Sequence, residues 1–226
     1  MEAKDSKVSA GQRIGDFIQT HRRTIFMGFA AVIVVLLGTI TALLIRDVFH
    51  QRAIGSLEEL RERYHSLRFD IFDEAEFDQS EALVLLADLG DFAARSSGFV
   101  AGSAWAMAGR LHSEMEQWQE AEAAWRAAAS AAAATYLGPL SLFNAAMAAE
   151  EQGNIAGAIE LLTQSVGHAQ AFPAAARAQF SIGRLNESLN SPAAAIEAYR
   201  AVLASWPGTV WANLAQSRIV ALETGG

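Results

Sequence analysis

Histidine is the side chain best suited to act as a base or as a metal ligand near neutral pH, and the chain has five. They are His21, His50, His65, His112 and His168. None of them pairs with another at metal-ligand spacing along a helix, and the sequence has no HExxH motif. Because the chain has no cysteine, thiolate metal sites, disulfides and cysteine nucleophiles are excluded as well.

Other catalytic motifs are also absent from the sequence. There is no GxSxG segment, no phosphate-binding loop and no dinucleotide fingerprint. The neighbouring Glu150 and Glu151 point about 100° apart on a helix, so we interpret them as a solvated face rather than as paired acid and base. His112 is interpreted as a packing residue. The sequence therefore predicts no enzyme activity, no cofactor and no metal ion.

The composition limits the remaining classes of protein. Of 226 residues, 52% are hydrophobic and 19% charged, which excludes an intrinsically disordered chain. The net charge of −8 makes nucleic acid an unexpected partner, since phosphate binding needs a basic surface. With only four prolines and long alanine runs, the chain favours an all-α fold.

An uncharged apolar segment follows a basic N-terminus. Residues 24–45 carry no charge, and at ~1.5 Å per residue a helix of this length reaches about 33 Å, enough to cross a ~30 Å hydrocarbon core. A core helix this long would normally carry a polar face, and the ending LLIRDVF lacks a signal-peptide cleavage site. We therefore expect residues 24–45 to form a transmembrane helix in the lipid bilayer.

The basic residues around this segment predict its orientation. Five precede it and four lie in the twenty residues after it. They are Lys4, Lys7, Arg13, Arg22 and Arg23, followed by Arg46, Arg52, Arg61 and Arg63. This small excess places residues 1–23 in the cytoplasm as a tail. The acidic remainder would then lie in the periplasm, outside a bacterial inner membrane.

A period of 37 residues organises the rest of the chain. Three alanines recur at this spacing, each preceded by a small residue twelve positions earlier and followed by a large one four positions later. The alanines are Ala121, Ala158 and Ala195, the small residues Gly109, Ala146 and Gly183, and the large residues Trp125, Leu162 and Tyr199. Two helical stretches in each unit predict stacked helical hairpins.

These residues resemble the tetratricopeptide repeat (TPR). The first unit has Trp105, Gly109, Ala121, Trp125 and Ala128 at the spacing of that family, and the third has Gly183, Ala195, Tyr199 and Pro207. The second unit lacks the aromatic residue and is degenerate. The resemblance implies an all-α fold, a TPR-like α-solenoid of stacked hairpins that follows the transmembrane helix.

Turn and capping signals predict the bounds of the helices. We expect hairpins at 102–115 with 118–134, 139–152 with 155–168, and 173–189 with 192–204. A capping helix at about 208–223 would then complete a repeat region spanning 101–226. Gly153 would leave its helix in a left-handed conformation, and the Ser191 hydroxyl would cap the helix beginning at Pro192.

Membrane-proximal helices at 47–71 and 79–96 would form a degenerate leading repeat within residues 46–100. We expect the first and last helices of the solenoid each to pack on their neighbours through an apolar stripe. One is Leu83, Leu86, Leu89 and Phe92, packing on the first repeat, and the other is Trp211, Leu214 and Ile219 on the capping helix.

The TPR resemblance also implies a binding surface. In that family the first helix of each hairpin lines a concave groove. The lining residues lie three positions before, one after and four after the small residue at the helix crossing. Those positions hold Ala106, Arg110 and Ser113, then Phe143, Met147 and Glu150, then Phe180, Arg184 and Glu187. Apolar anchors beside arginines suit a peptide with a hydrophobic residue and a carboxylate, or an extended unfolded chain. Packing of Phe143 and Phe180 inside the solenoid is the alternative.

One membrane helix followed by acidic repeats is similar to the YfgM type of bacterial inner-membrane protein. The local match is SGFVAGSAWAMAGRLHSEMEQWQEAEAAW. That resemblance implies an ancillary partner of the SecYEG translocon that works with periplasmic chaperones on client chains. The alternative is a structural scaffold subunit of a membrane complex, such as a secretion, pilus, flagellar or photosynthetic assembly. A chaperone binds many unfolded chains weakly, whereas a scaffold buries one fixed surface permanently.

Overall fold

The protein is described by a computed structural model that covers residues 23, 27, 31–41, 54–67, 79–168 and 172–224. The chain divides into two compact units, Met1–Arg52 and Ala53–Gly226. In the first unit, residues 31–41 form a helix whose side chains are all exposed. The other residues of the expected transmembrane segment 24–45, apart from Met27, lie outside the described residues. Within the described ranges we find no helix with the length and apolar character needed to span a bilayer.

The described part of the second unit consists of helices and the turns that join them, with no strand. A helix at residues 54–67, here α1, comes first. It is followed by α2 (Gln79–Arg95), α3 (Gly98–Glu114), α4 (Trp118–Ala131), α5 (Leu137–Glu151), α6 (Ile155–Val166), α7 (Ala175–Ser188), α8 (Pro192–Ser205) and α9 (Val210–Thr224).

Consecutive helices from α2 to α9 pack against each other, and α3 also contacts α5 as α7 contacts α9. The first helices of successive hairpins therefore form one layer and the second helices another. This arrangement confirms the expected TPR-like solenoid. The pairs α3–α4, α5–α6 and α7–α8 are its hairpins, and α9 packs on α8 through Ala212, Ala215 and Ile219.

Glycine at the helix crossings allows the two helices of a hairpin to approach closely. A Cβ atom added to Gly109 would lie 2.8 Å from the Trp125 ring, and one added to Gly183 would lie closer still to the Tyr199 ring. Aromatic side chains from α4 and α8 thus fill the space that these glycines leave, as the 37-residue spacing predicts. At the crossing of the second hairpin, α5–α6, Ala146 and Leu162 are both fully buried.

The buried face of α2 matches the predicted stripe in part: Leu89 is buried, and Leu86 and Phe92 are partly buried against the same core. Residues Ala82, Leu85, Leu89 and Ala93 of α2 are buried with α1 and α3, whereas Leu83 is 52% exposed. Steps of three residues turn by about 300°, so the series from Leu83 to Phe92 rotates around the helix instead of staying on one face. The same drift explains why Leu214 of α9 is 44% exposed.

Two of the expected helix ends also differ. The Ser191 hydroxyl donates to the Leu189 carbonyl instead of capping α8, because Asn190 with φ 53° turns the chain sharply there. Helix α4 ends at Ala131 rather than at residue 134, where the Thr135 hydroxyl closes a turn on the Ala132 carbonyl at 2.9 Å. Gly153 has φ 75° as expected, and the Asn154 side chain caps α6.

Candidate functional site

The surface formed by the first helices contains two adjoining clefts between α3 and its neighbours. The first has a volume of 160 Å³ and extends from α1 to α5. The second has a volume of 290 Å³ and lies between α3, α4 and α5. Arg110, Trp125 and Asn144 line both clefts, so we treat them as one site and call it the α3–α5 cleft.

The floor of the α3–α5 cleft is apolar and fixed by hydrogen bonds. Trp125 is buried, its indole N–H lies 3.5 Å from the Ser113 hydroxyl, and that hydroxyl donates to the Gly109 carbonyl at 2.8 Å. Apolar side chains continue this floor towards both ends. They are Met107, Leu137 and Leu140 in the first cleft and Met147 and Trp118 in the second. The cleft can therefore accept an apolar side chain without rearrangement of its backbone.

Arg110 is the charged residue at the centre of this cleft. Its side chain is exposed, and within the described ranges it forms no ion pair or hydrogen bond with another residue. Asn144 faces the same space with an amide that can both donate and accept. This combination can bind a carboxylate or a main-chain peptide group next to an apolar pocket.

The other predicted arginine, Arg184, is already neutralised. Both of its terminal nitrogens donate to the Glu150 carboxylate at 2.6 Å, which joins α7 to α5. This bidentate bond raises the Arg184 pKa. Glu150 is therefore part of a structural ion pair and not the solvated residue expected from the sequence.

A second ion pair repeats this arrangement one hairpin later. The Glu187 carboxylate of α7 accepts hydrogen bonds from the Arg218 guanidinium of α9 and from the Tyr199 hydroxyl of α8. The Arg218 guanidinium is the main cause of the lowered pKa of Glu187. Burial, followed by the bond to Glu187, raises the pKa of Tyr199. Glu187 thus fastens the capping helix to the third hairpin.

The Glu187 ion pair should make the stability of the protein depend on pH in the acidic range. Because its folded pKa lies below the ordinary value of 4.5, the ion pair stabilises the fold at neutral pH and is lost as the pH falls through the folded pKa. We expect Glu187→Gln to lower the free energy of unfolding by about 1 kcal/mol at neutral pH. The difference from the parent should shrink as the pH falls below 4.5 and through the lowered pKa of Glu187.

This effect is measured by urea unfolding of both proteins across the acidic range. Glu160→Gln, a change of an exposed glutamate on α6, is the control and should unfold like the parent. A Glu187→Gln variant as stable as the parent at neutral pH would show that the pair contributes nothing to the fold.

The predicted apolar anchors have different surroundings. Phe143 is only 5% exposed, with its ring 6.0 Å from that of Phe172 and under the Arg177 guanidinium at 5.1 Å. Phe180 is half-buried between the rings of Tyr199 and Trp211. These contacts correspond to packing inside the solenoid, the alternative that the sequence left open. Of the three anchors, Met147 is the one that lines a cleft.

The α3–α5 cleft also contains residues that the repeat pattern does not indicate. Asn144 lies two positions before the small residue Ala146, outside the lining positions of the repeat family. Arg61, Tyr64 and His65 come from α1, whose membership of the concave layer is shown by packing rather than by a motif.

The histidines that the structure describes do not form a metal site. The His112 Nδ1–H donates a hydrogen bond to the Gln117 amide oxygen at 2.7 Å, which fixes the turn between α3 and α4. In the described part of the chain, no three metal-ligating side chains come together.

Comparison with known proteins supports the repeat assignment. The family model of the tetratricopeptide repeat matches residues 106–172 and 146–209. A TPR repeat-containing protein of Treponema pallidum (strain Nichols) is 36% identical over 129 residues, which are 57% of this chain. Those residues cover 54% of that protein, so the chain spans about half the length of the curated relative it matches.

Solved structures are similar in fold. Repeats of a kinesin light chain protein from Podosopora anserina, which has nearly identical TPR-like repeats, superpose with a TM-score of 0.54 at 16% identity. The match covers 74% of this chain and 86% of that one. A variant of the same protein with a single substitution gives a TM-score of 0.55 over 74% and 85% of the two chains, also at 16% identity. Residues 106–209 of this chain are thus similar to the tetratricopeptide repeat, a repeat that mediates protein–protein interaction, and the described fold is that of a TPR-like solenoid.

Proposed function

We propose that this TPR-like protein is held at the outer face of a bacterial inner membrane by residues 24–45, and that its α3–α5 cleft binds an extended segment of another protein. The observation that carries the binding proposal is Arg110, an exposed arginine without a described partner at the junction of two apolar-floored clefts. Arginine beside apolar and aromatic contacts is a typical composition for the centre of a protein interface.

The chemistry of the cleft defines the segment that it would bind. An aliphatic or aromatic side chain fits over the Trp125 floor, and an Asp, a Glu or a chain terminus would pair with Arg110. Asn144 can bond the peptide main chain between them. The guanidinium favours an acidic residue at the junction of the two clefts, whereas Glu151, which lines the second cleft, favours a basic group at that end.

Reversal of the Arg110 charge tests this proposal. We expect Arg110→Glu to weaken binding of an acidic unfolded chain at least tenfold, or about 1.4 kcal/mol. Reduced, carboxymethylated α-lactalbumin is a suitable probe, with its affinity for the full-length protein measured by fluorescence anisotropy in detergent. Arg126→Glu is the control, since Arg126 pairs with Glu122 on α4, away from both clefts. Equal affinities for the parent and Arg110→Glu would exclude the cleft as the binding site.

The same probe separates the two functional classes. A chaperone adaptor that works beside the translocon, on chains that emerge from it, should bind the unfolded probe weakly and release it. A scaffold subunit should not bind the probe and should purify from native membranes with one stoichiometric partner. The open α3–α5 cleft supports the adaptor, because a scaffold surface would be expected to offer one extended apolar face.

The exposed helix at residues 31–41 supports the proposed anchor. Its aliphatic side chains are more than half exposed, and such a surface is unfavourable in water but matches a hydrocarbon environment. They are Val32, Ile33, Val34, Val35, Leu36, Leu37 and Ile40. No charge falls within residues 24–45, so a bilayer could accept the whole segment.

Protease accessibility tests the proposed orientation. Protease added to intact spheroplasts should digest residues 46–226 and leave residues 1–23 protected, because the basic tail stays in the cytoplasm. Protection of residues 46–226 until the cells are lysed would mean that the orientation is reversed. Recovery of the full chain in the fraction without membranes would contradict the anchor.

A further inference from the structure

The two ends of the helices in the repeat unit carry different charges. Gly102 at the start of α3 lies against Ala132, just after the end of α4. Gln152, just after the end of α5, bonds to Trp118 at the start of α4. Successive helices therefore alternate in direction. The connections α2–α3, α4–α5, α6–α7 and α8–α9 therefore share one edge, and α3–α4, α5–α6 and α7–α8 share the opposite one.

We define each edge by its connections and the four helical residues on either side of them. The described part of the first edge comprises residues 92–101, 128–140, 163–168, 172–178 and 202–213, which include no aspartate or glutamate, and we call it the acid-free edge. The opposite, acidic edge comprises residues 111–121, 148–158 and 185–195, and it has no lysine or arginine. Its glutamates are Glu114, Glu116, Glu120, Glu150, Glu151 and Glu187.

Large apolar side chains are exposed along the acid-free edge. Phe99 at the start of α3 is 41% exposed and Tyr136 before α5 is 56% exposed, and their rings contact each other with centroids 6.1 Å apart. Val210, the first residue of α9, is 62% exposed. Exposed aromatic and aliphatic residues without nearby acids are unusual on a surface that meets only water.

The chain enters the repeat unit at this same edge. The Tyr64 hydroxyl near the end of α1 bonds to Glu114 at the end of α3, so α1 runs parallel to α3. Ile54, the first residue of α1, therefore lies at the acid-free edge, where it is 48% exposed. Eight residues lie between it and Ile45, the last residue of the proposed anchor, and a chain of this length spans at most about 30 Å.

We propose that the acid-free edge docks on the lipid headgroup region of the bilayer, with Phe99 and Tyr136 inserted at the interface. This inference rests on the proposed anchor. Aromatic side chains favour the membrane–water interface. Arg95 at the same edge is paired with Asp91 at 4.0 Å, so the aromatic side chains carry the proposal.

Glu150 and Glu187 of the acidic edge are paired with Arg184 and Arg218. An anionic lipid surface repels the exposed Glu116, Glu120 and Glu151 of the same edge and so turns it towards the solvent. The α3–α5 cleft would then open parallel to the membrane.

Site-specific spin labels in the full-length chain test this orientation. Because the chain has no cysteine, each variant is labelled at one position. Tyr136→Cys reports on the acid-free edge, Glu120→Cys is the matched control on the acidic edge, and Val34→Cys reports on the anchor. The variants are reconstituted into vesicles of phosphatidylethanolamine and phosphatidylglycerol. Accessibility of each label is measured to oxygen, which concentrates in lipid, and to a nickel chelate, which stays in water.

We expect oxygen to be favoured at residues 34 and 136 and the nickel chelate to be favoured at residue 120. A lipid-embedded label at residue 34 with labels at 136 and 120 equally in water would overturn the docking proposal and keep the anchor. The acid-free edge would then be left for a protein partner. Labels at 136 and 120 equally in lipid would contradict the assignment of the edges. A label at residue 34 in water would overturn the anchor and the docking together.

Discussion

Replacing Gly183 with leucine should destabilise the repeat unit by about 3 kcal/mol or more. Even a Cβ atom at this position would overlap the Tyr199 ring, and leucine adds three further carbons to a crossing that has no space. In thermal unfolding followed by circular dichroism, this loss should lower the Tm by about 6–12 °C. Gly183→Ala should show the same change on a smaller scale, which keeps the test informative if the leucine variant does not fold.

A glycine outside the crossings provides the matched control. Gly90 lies in α2, and a Cβ atom there would meet only the Trp105 ring at an ordinary 3.9 Å. We expect Gly90→Ala to stabilise the protein by about 0.5–1 kcal/mol, because alanine favours a helix over glycine. If Gly183→Leu and the parent melted together, the close approach of α7 and α8 at Gly183 would be wrong.

Replacing Phe143 with alanine should cost about 3–5 kcal/mol of stability, the second large effect. The ring is buried against Phe172 and covered by Arg177, so its removal leaves a cavity between the second and third hairpins. The measurement is the urea midpoint of the full-length protein. Tyr136→Ala is the control, because the Tyr136 ring is 56% exposed and its loss should change stability by less than about 0.5 kcal/mol.

The Phe143 experiment also decides between packing and binding as the role of this residue. A folded Phe143→Ala protein with the stability of the parent but no affinity for the unfolded probe would make Phe143 an accessible anchor. Reduced stability with retained affinity, measured well below the midpoint, would assign binding to the α3–α5 cleft alone.

The repeat architecture could be predicted because its causes are local and periodic. Each crossing needs a small residue and a large one at fixed spacing, so Gly109 with Trp125 and Gly183 with Tyr199 indicated both the register and the hairpins. Helix ends were less predictable where tertiary contacts decide them. Alanine propensity favours a longer α4, yet the Thr135 turn and the close contact of Gly102 with Ala132 end it at Ala131.

The candidate site could be predicted only in part, because its properties depend on contacts between hairpins. Position in the repeat indicated that Arg110 and Arg184 face the concave layer. It could not indicate that Glu150, 34 residues before Arg184, neutralises one arginine while the other is left without a described partner. Phe143 was predicted as an anchor because the covering residue, Phe172, comes from an irregular connection that the period does not specify.

Photo-crosslinking from inside the cleft tests most directly whether the α3–α5 cleft binds other proteins. A benzophenone amino acid is placed at Met147 in the cleft or at Ser130, an exposed position on α4, in the full-length protein produced at native level. We predict that position 147 crosslinks to partner chains under ultraviolet light, that position 130 does not, and that Arg110→Glu removes the products from position 147. Products from position 130 alone, or products from position 147 that persist with Arg110→Glu, would contradict this account.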